Sequence, residues 1–138
     1  MLELLHLENV GPVAELTMEL GARLNLITGD NGLGKSFLLD VAWWALTRTW
    51  PAEVNPTISS GLKARPAGSG PSAIEFSFQS KVKRERYRSV YERRDEAWKG
   101  RPGRPANPGL VLYAQVDGGF SVWDPARNYW CCPPEVWS

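Results

Sequence analysis

Eight consecutive residues, Gly29-Asp30-Asn31-Gly32-Leu33-Gly34-Lys35-Ser36, bring three glycines, a lysine and a hydroxyl together at the spacing Gly-x-x-x-x-Gly-Lys-Ser. Glycine lets a backbone curl through left-handed conformations, so that successive N–H groups converge on one point as an anion nest. The N-terminus of a following helix adds further donors aimed the same way. In such a loop Lys35 sets a point charge on the β- and γ-phosphate oxygens, and the Ser36 hydroxyl can ligate Mg²⁺. The chemistry available is the holding of a nucleoside triphosphate with Mg²⁺. The candidate binding set runs Gly29, Asp30, Asn31, Gly32, Leu33, Gly34, Lys35, Ser36 and Phe37, with Ser36 as the metal ligand.

A loop of this kind works only between a strand and a helix. "ARLNLIT", ending at Thr28, reads as the strand that delivers the chain to Gly29. From Ser36 the run Phe37, Leu38, Leu39, Val41, Ala42, Trp43, Trp44, Ala45, Leu46 is apolar almost all round, as in a buried helix. Pro51 ends that helix or lies just beyond it. Upstream, "LELLHLENVGPV" and "AELTMEL" flank the Gly11-Pro12 turn. Leu16, Met18 and Leu20 alternate with Thr17 and Glu19, so an opening hairpin with one buried face is expected. Downstream, Ile74, Phe76 and Phe78 alternate with Glu75, Ser77 and Gln79. "ERYRSVYERR" alternates more weakly, as an exposed strand would. "LVLYAQVDGGFSVWD" is a hairpin around Asp117-Gly118-Gly119.

The chain thus divides into opening strands, loop and helix (1–50), a flexible Gly/Pro/Ser-rich loop (55–72), an antiparallel meander (73–124) and an irregular tail (125–138). All of it is expected to form a single, partial ATP-binding domain. The fold class expected is α/β: the N-terminal lobe of a phosphate-loop NTPase, with a mixed or antiparallel β-rich sheet around one buried helix.

"LITGDNGLGKSFLLDVAWWAL" resembles the ABC-type branch of phosphate-loop ATPases. It is most similar to the AAA-labelled RecF, structural-maintenance-of-chromosomes and overcoming-lysogenization-defect group, which reads Gly-x-Asn-Gly-x-Gly-Lys-Ser; Asn31, Gly32 and Gly34 match. "LHLENVGPVAELTMEL" resembles that group's opening pair of strands, and the resemblance implies that residues 9–13 lie near the adenine. It covers residues 1 to 50 well. It implies ATP and Mg²⁺ as ligands, hydrolysis at the γ-phosphate, and heads that work as sandwich dimers.

Hydrolysis asks for more than a cradle: an acidic contact for Mg²⁺, a group that orients water and charge stabilisation at the γ-phosphate. The resemblance implies that these come from a strand ending in Asp-Glu, a Leu-Ser-Gly-Gly-Gln-like loop and a switch histidine. The residues after Ser36 supply none. "LVLYAQVD" reaches Asp117, but Gly118 follows where Glu belongs, so it reads as a hairpin entrance. Gln115 sits in that same strand, which argues against a Mg²⁺-contacting glutamine. "ISSGLKA" lacks the second Gly and the Gln of the signature. His6, the one histidine, precedes the loop and reads as a strand residue. The expectation is an ATP-binding lobe that is inactive or very weak as a hydrolase alone, completed by a C-terminal half or a partner chain, or within a homodimer.

The 138 residues are 43% hydrophobic, enough for a core. No apolar run reaches the roughly 18 residues of a membrane span, and the acidic start "MLELLHLENV" does not read as a signal peptide. The adjacent Cys131 and Cys132 read as reduced thiols, consistent with a cytoplasmic protein. The net charge of +1 hides an asymmetry. Lys81 to Arg104 holds ten Lys or Arg against four Asp or Glu. With Tyr87, Tyr91 and Trp98 among them, this segment could grip DNA or RNA through phosphates and base stacking. The plainer reading is a solvated sheet edge, kept charged against aggregation.

Overall fold

The computed structural model describes residues 1–30, 32, 34–54, 63–79, 85–100 and 109–124. The chain forms two compact units, one of Met1–Lys35 with Ala64–Arg104, the other of Ser36–Lys63 with Pro105–Ser138.

The first unit is a five-stranded sheet. β1 (Leu2–Val10), β2 (Val13–Glu19), β3 (Ala73–Phe78), β4 (Glu85–Glu92) and β5 (Ala97–Lys99) lie in the order β2-β1-β3-β4-β5. Every pairing is antiparallel, so the sheet is not mixed. The alternation seen in the sequence sets its register. Leu7 sits between Leu16 and Ile74, and Leu5 between Met18 and Phe76. Leu5, Leu7, Ile74 and Phe76 are fully buried. The ring of Phe76 stacks on Tyr87 at 5.3 Å and meets Phe78 edge-on at 5.5 Å. Each such side chain contributes about 1.5–3 kcal/mol by leaving water. Gly11 takes φ 58° in the tight turn between β1 and β2, a conformation that glycine adopts without strain. β5 was not legible beforehand, because three residues carry no readable period.

The opposite face of the sheet is polar. Thr17, His6, Glu75 and Arg88 stand in one row across β2, β1, β3 and β4. His6 pairs through Nδ1 with Thr17 Oγ1 at 2.7 Å and through Nε2 with Glu8 Oε1 at 3.2 Å. Arg88 bridges Glu8 at 3.0 Å and also Glu75, and Arg86 reaches Glu75 at 2.5 Å. The bonds from Arg88 and His6 hold the Glu8 carboxyl below its ordinary value of 4.5. For Glu75 burial pulls upward, but the bonds from Arg88 and Arg86 outweigh it, so that its carboxyl is also lowered. Both groups therefore bind protons more weakly folded than unfolded. Their stabilisation is complete above the unfolded value and is lost as pH falls through the lowered folded values. Urea midpoints should drop between pH 5 and pH 3, and the drop should be shallower in Arg86→Ser/Arg88→Ser; an equally steep loss in that variant would assign acid sensitivity elsewhere.

Residues 63–72 form an irregular loop pinned to the β1–β2 turn. Gly11 N donates to Arg65 O at 2.7 Å, Ala67 N to Asn9 O at 3.1 Å, and Asn9 Nδ2 to Ser72 Oγ at 3.0 Å. Trp98 Nε1 donates to Ala64 O at 2.9 Å.

The second unit contains most of α1 (Lys35–Thr47), α2 (Pro51–Val54) and the hairpin of β6 (Val111–Ala114) and β7 (Phe120–Trp123). α1 ends where Arg48 turns to φ 62°, with its N–H still bonded to Trp44 O at 2.7 Å. Trp50 stacks on Trp44 at 5.3 Å, and the Arg48 guanidinium lies 5.6 Å above the same ring. Pro51 opens α2 as its first residue, where its missing N–H is no loss. The helix expected to be buried all round is buried on part of its surface. Asp40, Val41, Trp43, Trp44, Ala45 and Thr47 are enclosed, Phe37, Leu38, Ala42 and Leu46 are half-buried, and Leu39 is 45% exposed.

The strand expected at "ARLNLIT" does not form. Residues 21–30 carry no regular structure, and Leu24 and Leu26 are 87% and 84% exposed. A strand needs a neighbour for its N–H and C=O groups. The edge strands of this sheet are β2 and β5, and residues 21–30 pair with neither. Asn25 folds locally instead, its side chain accepting from Gly21 N at 2.7 Å and donating to Gly21 O at 3.1 Å.

Candidate nucleotide site

Between Thr28 and α1 the described glycines take backbone conformations of the kind an anion nest uses. Gly29, Gly32 and Gly34 take φ of 153°, 86° and 81°, conformations strained for any residue with a Cβ. Gly29, Asp30 and Gly32 are exposed. Space is not what demands glycine here: a Cβ at Gly29 or Gly32 would meet nothing within 4 Å. The demand is conformational. Asn31 and Leu33 lie outside the described residues.

Lys35 is the first residue of α1 and turns back over the loop. Its Nζ donates to Gly29 O at 2.6 Å and to Asp30 O at 2.5 Å. The charge is thereby held above the nest by two neutral acceptors. A phosphate oxygen is a stronger acceptor, because bonds between charged partners are about twice as strong as neutral ones. Ser36 follows as the second residue of α1 and is exposed; Phe37 is half-buried. The described members of the predicted set therefore fall on one continuous loop and helix start. Glycines in left-handed conformations and a lysine over the loop are residue types that hold phosphate, and Ser36 offers an exposed hydroxyl.

The other candidates have different duties. Asp117 sits in the hairpin turn, where Oδ1 accepts from Gly119 N at 3.0 Å and Gly118 takes φ 87°. Gln115 pairs its backbone N–H with Gly119 O at 2.8 Å, while its buried side-chain amide has no partner. His6 belongs to the polar row of the sheet. Among the described residues no group of three or more His, Cys, Asp or Glu could hold a metal ion.

Among the described residues of the basic segment, four of the five cations are paired within the fold. Arg86 and Arg88 pair with Glu75 and Glu8, Arg93 with the carbonyls of Gly68 and Gly70, and Lys99 with Asp95 at 2.8 Å. Lys81, Lys83, Arg84, Arg101 and Arg104 lie outside the described residues. Arg86→Ser/Arg88→Ser should leave ATP affinity within twofold of the unaltered chain, measured by calorimetry; a larger loss would join this face to the nucleotide.

One pair of residues escaped the sequence reading. Asp40 is buried on α1, and Tyr113 Oη donates to its Oδ1 at 2.6 Å. Burial raises the Asp40 carboxyl, and the Tyr113 bond pulls it the other way. The available signal was a single acid inside "FLLDVAWWAL".

A glycine-shaped anion nest running into a helix that opens Lys-Ser is the mark of a phosphate-loop nucleotide-binding protein. The family model described as AAA domain matches residues 4–120, and the chain belongs to this family of AAA-type phosphate-loop ATPases. The match reaches from β1 through the hairpin turn. No curated protein matches the chain.

Proposed function

We propose that residues 1–138 act as one ATP-binding domain, the Mg·ATP-binding lobe of an ABC/RecF-like ATPase of the structural-maintenance-of-chromosomes and overcoming-lysogenization-defect type. The observation that carries this reading is the loop: left-handed Gly29, Gly32 and Gly34, with Lys35 held on the carbonyls of Gly29 and Asp30. The loop amides would take the phosphates, Lys35 the β- and γ-oxygens and Ser36 the Mg²⁺. The bound metal would neutralise charge developing on the phosphates.

Binding is separated from hydrolysis in this proposal. The γ-phosphate cleavage would further use a second acidic contact for Mg²⁺ and a group that orients water, supplied by other elements such as a partner chain or a second copy. The exposed run before the loop supports that requirement, because Leu24 and Leu26 have no strand beside them. A cytoplasmic setting accords with the described residues, in which no helix is long and apolar enough to cross a membrane. The second reading, a DNA- or RNA-binding module built on Lys81–Arg104, is weakened by the pairing of Arg86 and Arg88 within the sheet. Calorimetric titration with ATP beside a phosphate-release assay tests the proposal. Binding with turnover near background is expected; robust turnover by this chain would overturn the separation, and absence of binding by a folded chain would overturn the site.

A further inference from the structure

Ser36, Asp40, Trp43 and Thr47 follow one another along α1 at spacings of four, three and four, which places them on one stripe of the helix. Within the second unit, β6 grips the middle of that stripe. Tyr113 donates its hydroxyl proton to Asp40 Oδ1 at 2.6 Å, and its ring lies 6.1 Å from the ring of Trp43. Asp40 is 7% exposed, so little water can replace that bond. It stands one turn, about 6 Å of rise, below Ser36.

Of the described polar groups around it, only the Tyr113 hydroxyl is bonded to Asp40. Ser121 stands directly opposite Tyr113 across the hairpin, and Gln115 lies two residues along on the same face. The side-chain amide of Gln115, Ser121 Oγ, and the indole N–H groups of Trp43 and Trp123 are buried without partners. Around the hairpin's inward face the Tyr113 hydroxyl is satisfied, while Gln115, Ser121 and Trp123 of the hairpin and Trp43 of α1 keep unpartnered polar atoms. Removing that hydroxyl leaves Asp40 with an unmet buried oxygen on the helix that carries the phosphate-loop lysine and serine.

We infer that Tyr113 is a positioning residue for the nucleotide site: through Asp40 and Trp43 it fixes the stripe of α1 that ends at Ser36, and so sets the Mg²⁺-dependent part of ATP binding. This rests on the ATP-binding reading. Tyr113 touches no nucleotide itself; it acts by holding the first turns of α1 in place.

Tyr113→Phe keeps the ring beside Trp43 and removes only the hydroxyl. Two measurements on the full chain decide the matter. The first needs no nucleotide. Hydrogen exchange at the amides of Leu39 to Trp43, whose helical acceptors are the carbonyls of residues 35–39, should quicken at least tenfold in Tyr113→Phe, while the amides of Leu5, Leu7 and Phe76 keep their rates. The second compares ATP affinity with Mg²⁺ and with EDTA. The Mg²⁺ gain should shrink threefold or more in Tyr113→Phe with the EDTA affinity held, as a partial copy of Ser36→Ala. Asp40→Asn, which keeps a carbonyl oxygen to accept the Tyr113 hydroxyl, should retain the gain. Unchanged exchange in α1 overturns the inference whether or not ATP binds. So does a loss of affinity equal with and without Mg²⁺, the signature of mere destabilisation. A wild-type chain that binds no ATP overturns the ATP reading instead, and the exchange result still decides the role of Tyr113.

Discussion

Lys35→Ala should abolish detectable ATP binding. Lys35 is poised over the loop by bonds to Gly29 O and Asp30 O, so its charge is on hand when phosphate oxygens arrive. Two charge-assisted bonds at about 1.5–3 kcal/mol each make a loss of about 3 kcal/mol or more, a hundredfold in affinity. A loop this exposed starts from weak affinity, because water reaches the phosphates and screens the lysine. A hundredfold loss from there removes the calorimetric signal. Ser36→Ala should weaken binding when Mg²⁺ is present and have little effect in EDTA. The folded state should survive both changes, since the Lys35 amine and Ser36 lie at an exposed helix start. A Lys35→Ala chain that binds ATP normally would move the triphosphate away from this loop altogether.

The second large effect concerns stability. Trp44→Ala should lower unfolding free energy by about 3–5 kcal/mol in urea titration. Trp44 is 5% exposed, stacks on Trp50 and receives the Arg48 guanidinium, so truncation removes area, an aromatic pair and a cation–π contact together. Trp43→Ala belongs to the lower end of that range. Trp43 is 2% exposed, but its indole N–H is buried without a partner, and removing it relieves that deficit. Leu39→Ala is the control on the same helix: at 45% exposure it should cost well under either tryptophan. Equal effects at Leu39 and Trp44 would mean that the exposed side of α1 is covered in solution.

The loop stands out in the sequence because its glycines, Lys35 and Ser36 each have a physical reason to be there. The opening hairpin and β3 were readable because one face is wet and the other dry, which imposes period two on Leu16–Leu20 and Ile74–Phe78. The strand before the loop failed for the opposite reason. "ARLNLIT" has strand-like residues, but a strand exists only with a neighbour, and neighbours are not written in a local pattern. The buried helix was half right: an apolar run fixes what a helix could bury and leaves open what is there to bury it, so Leu39 ends exposed. The Asp40–Tyr113 pair joins residues 73 apart in sequence, and no spacing rule connects them. The ion pairs of Arg86 and Arg88 were equally hidden, since counting charges along the chain cannot tell a free cation from one already matched across strands.

The uncovered run from Arg23 to Thr28 has a consequence for how such a chain fares once made. Six residues of strand-forming character with one charge and no proline, presenting Leu24 and Leu26 almost fully to water, are a template for pairing between molecules. Among the described residues none of the usual protections of a sheet edge, such as flanking lysines, a bulge or a covering helix, lies on it. The segment that must deliver the phosphate loop is thus also the place where aggregation would begin. Self-association through that segment should therefore grow with concentration, and persistence in solution should fall with it.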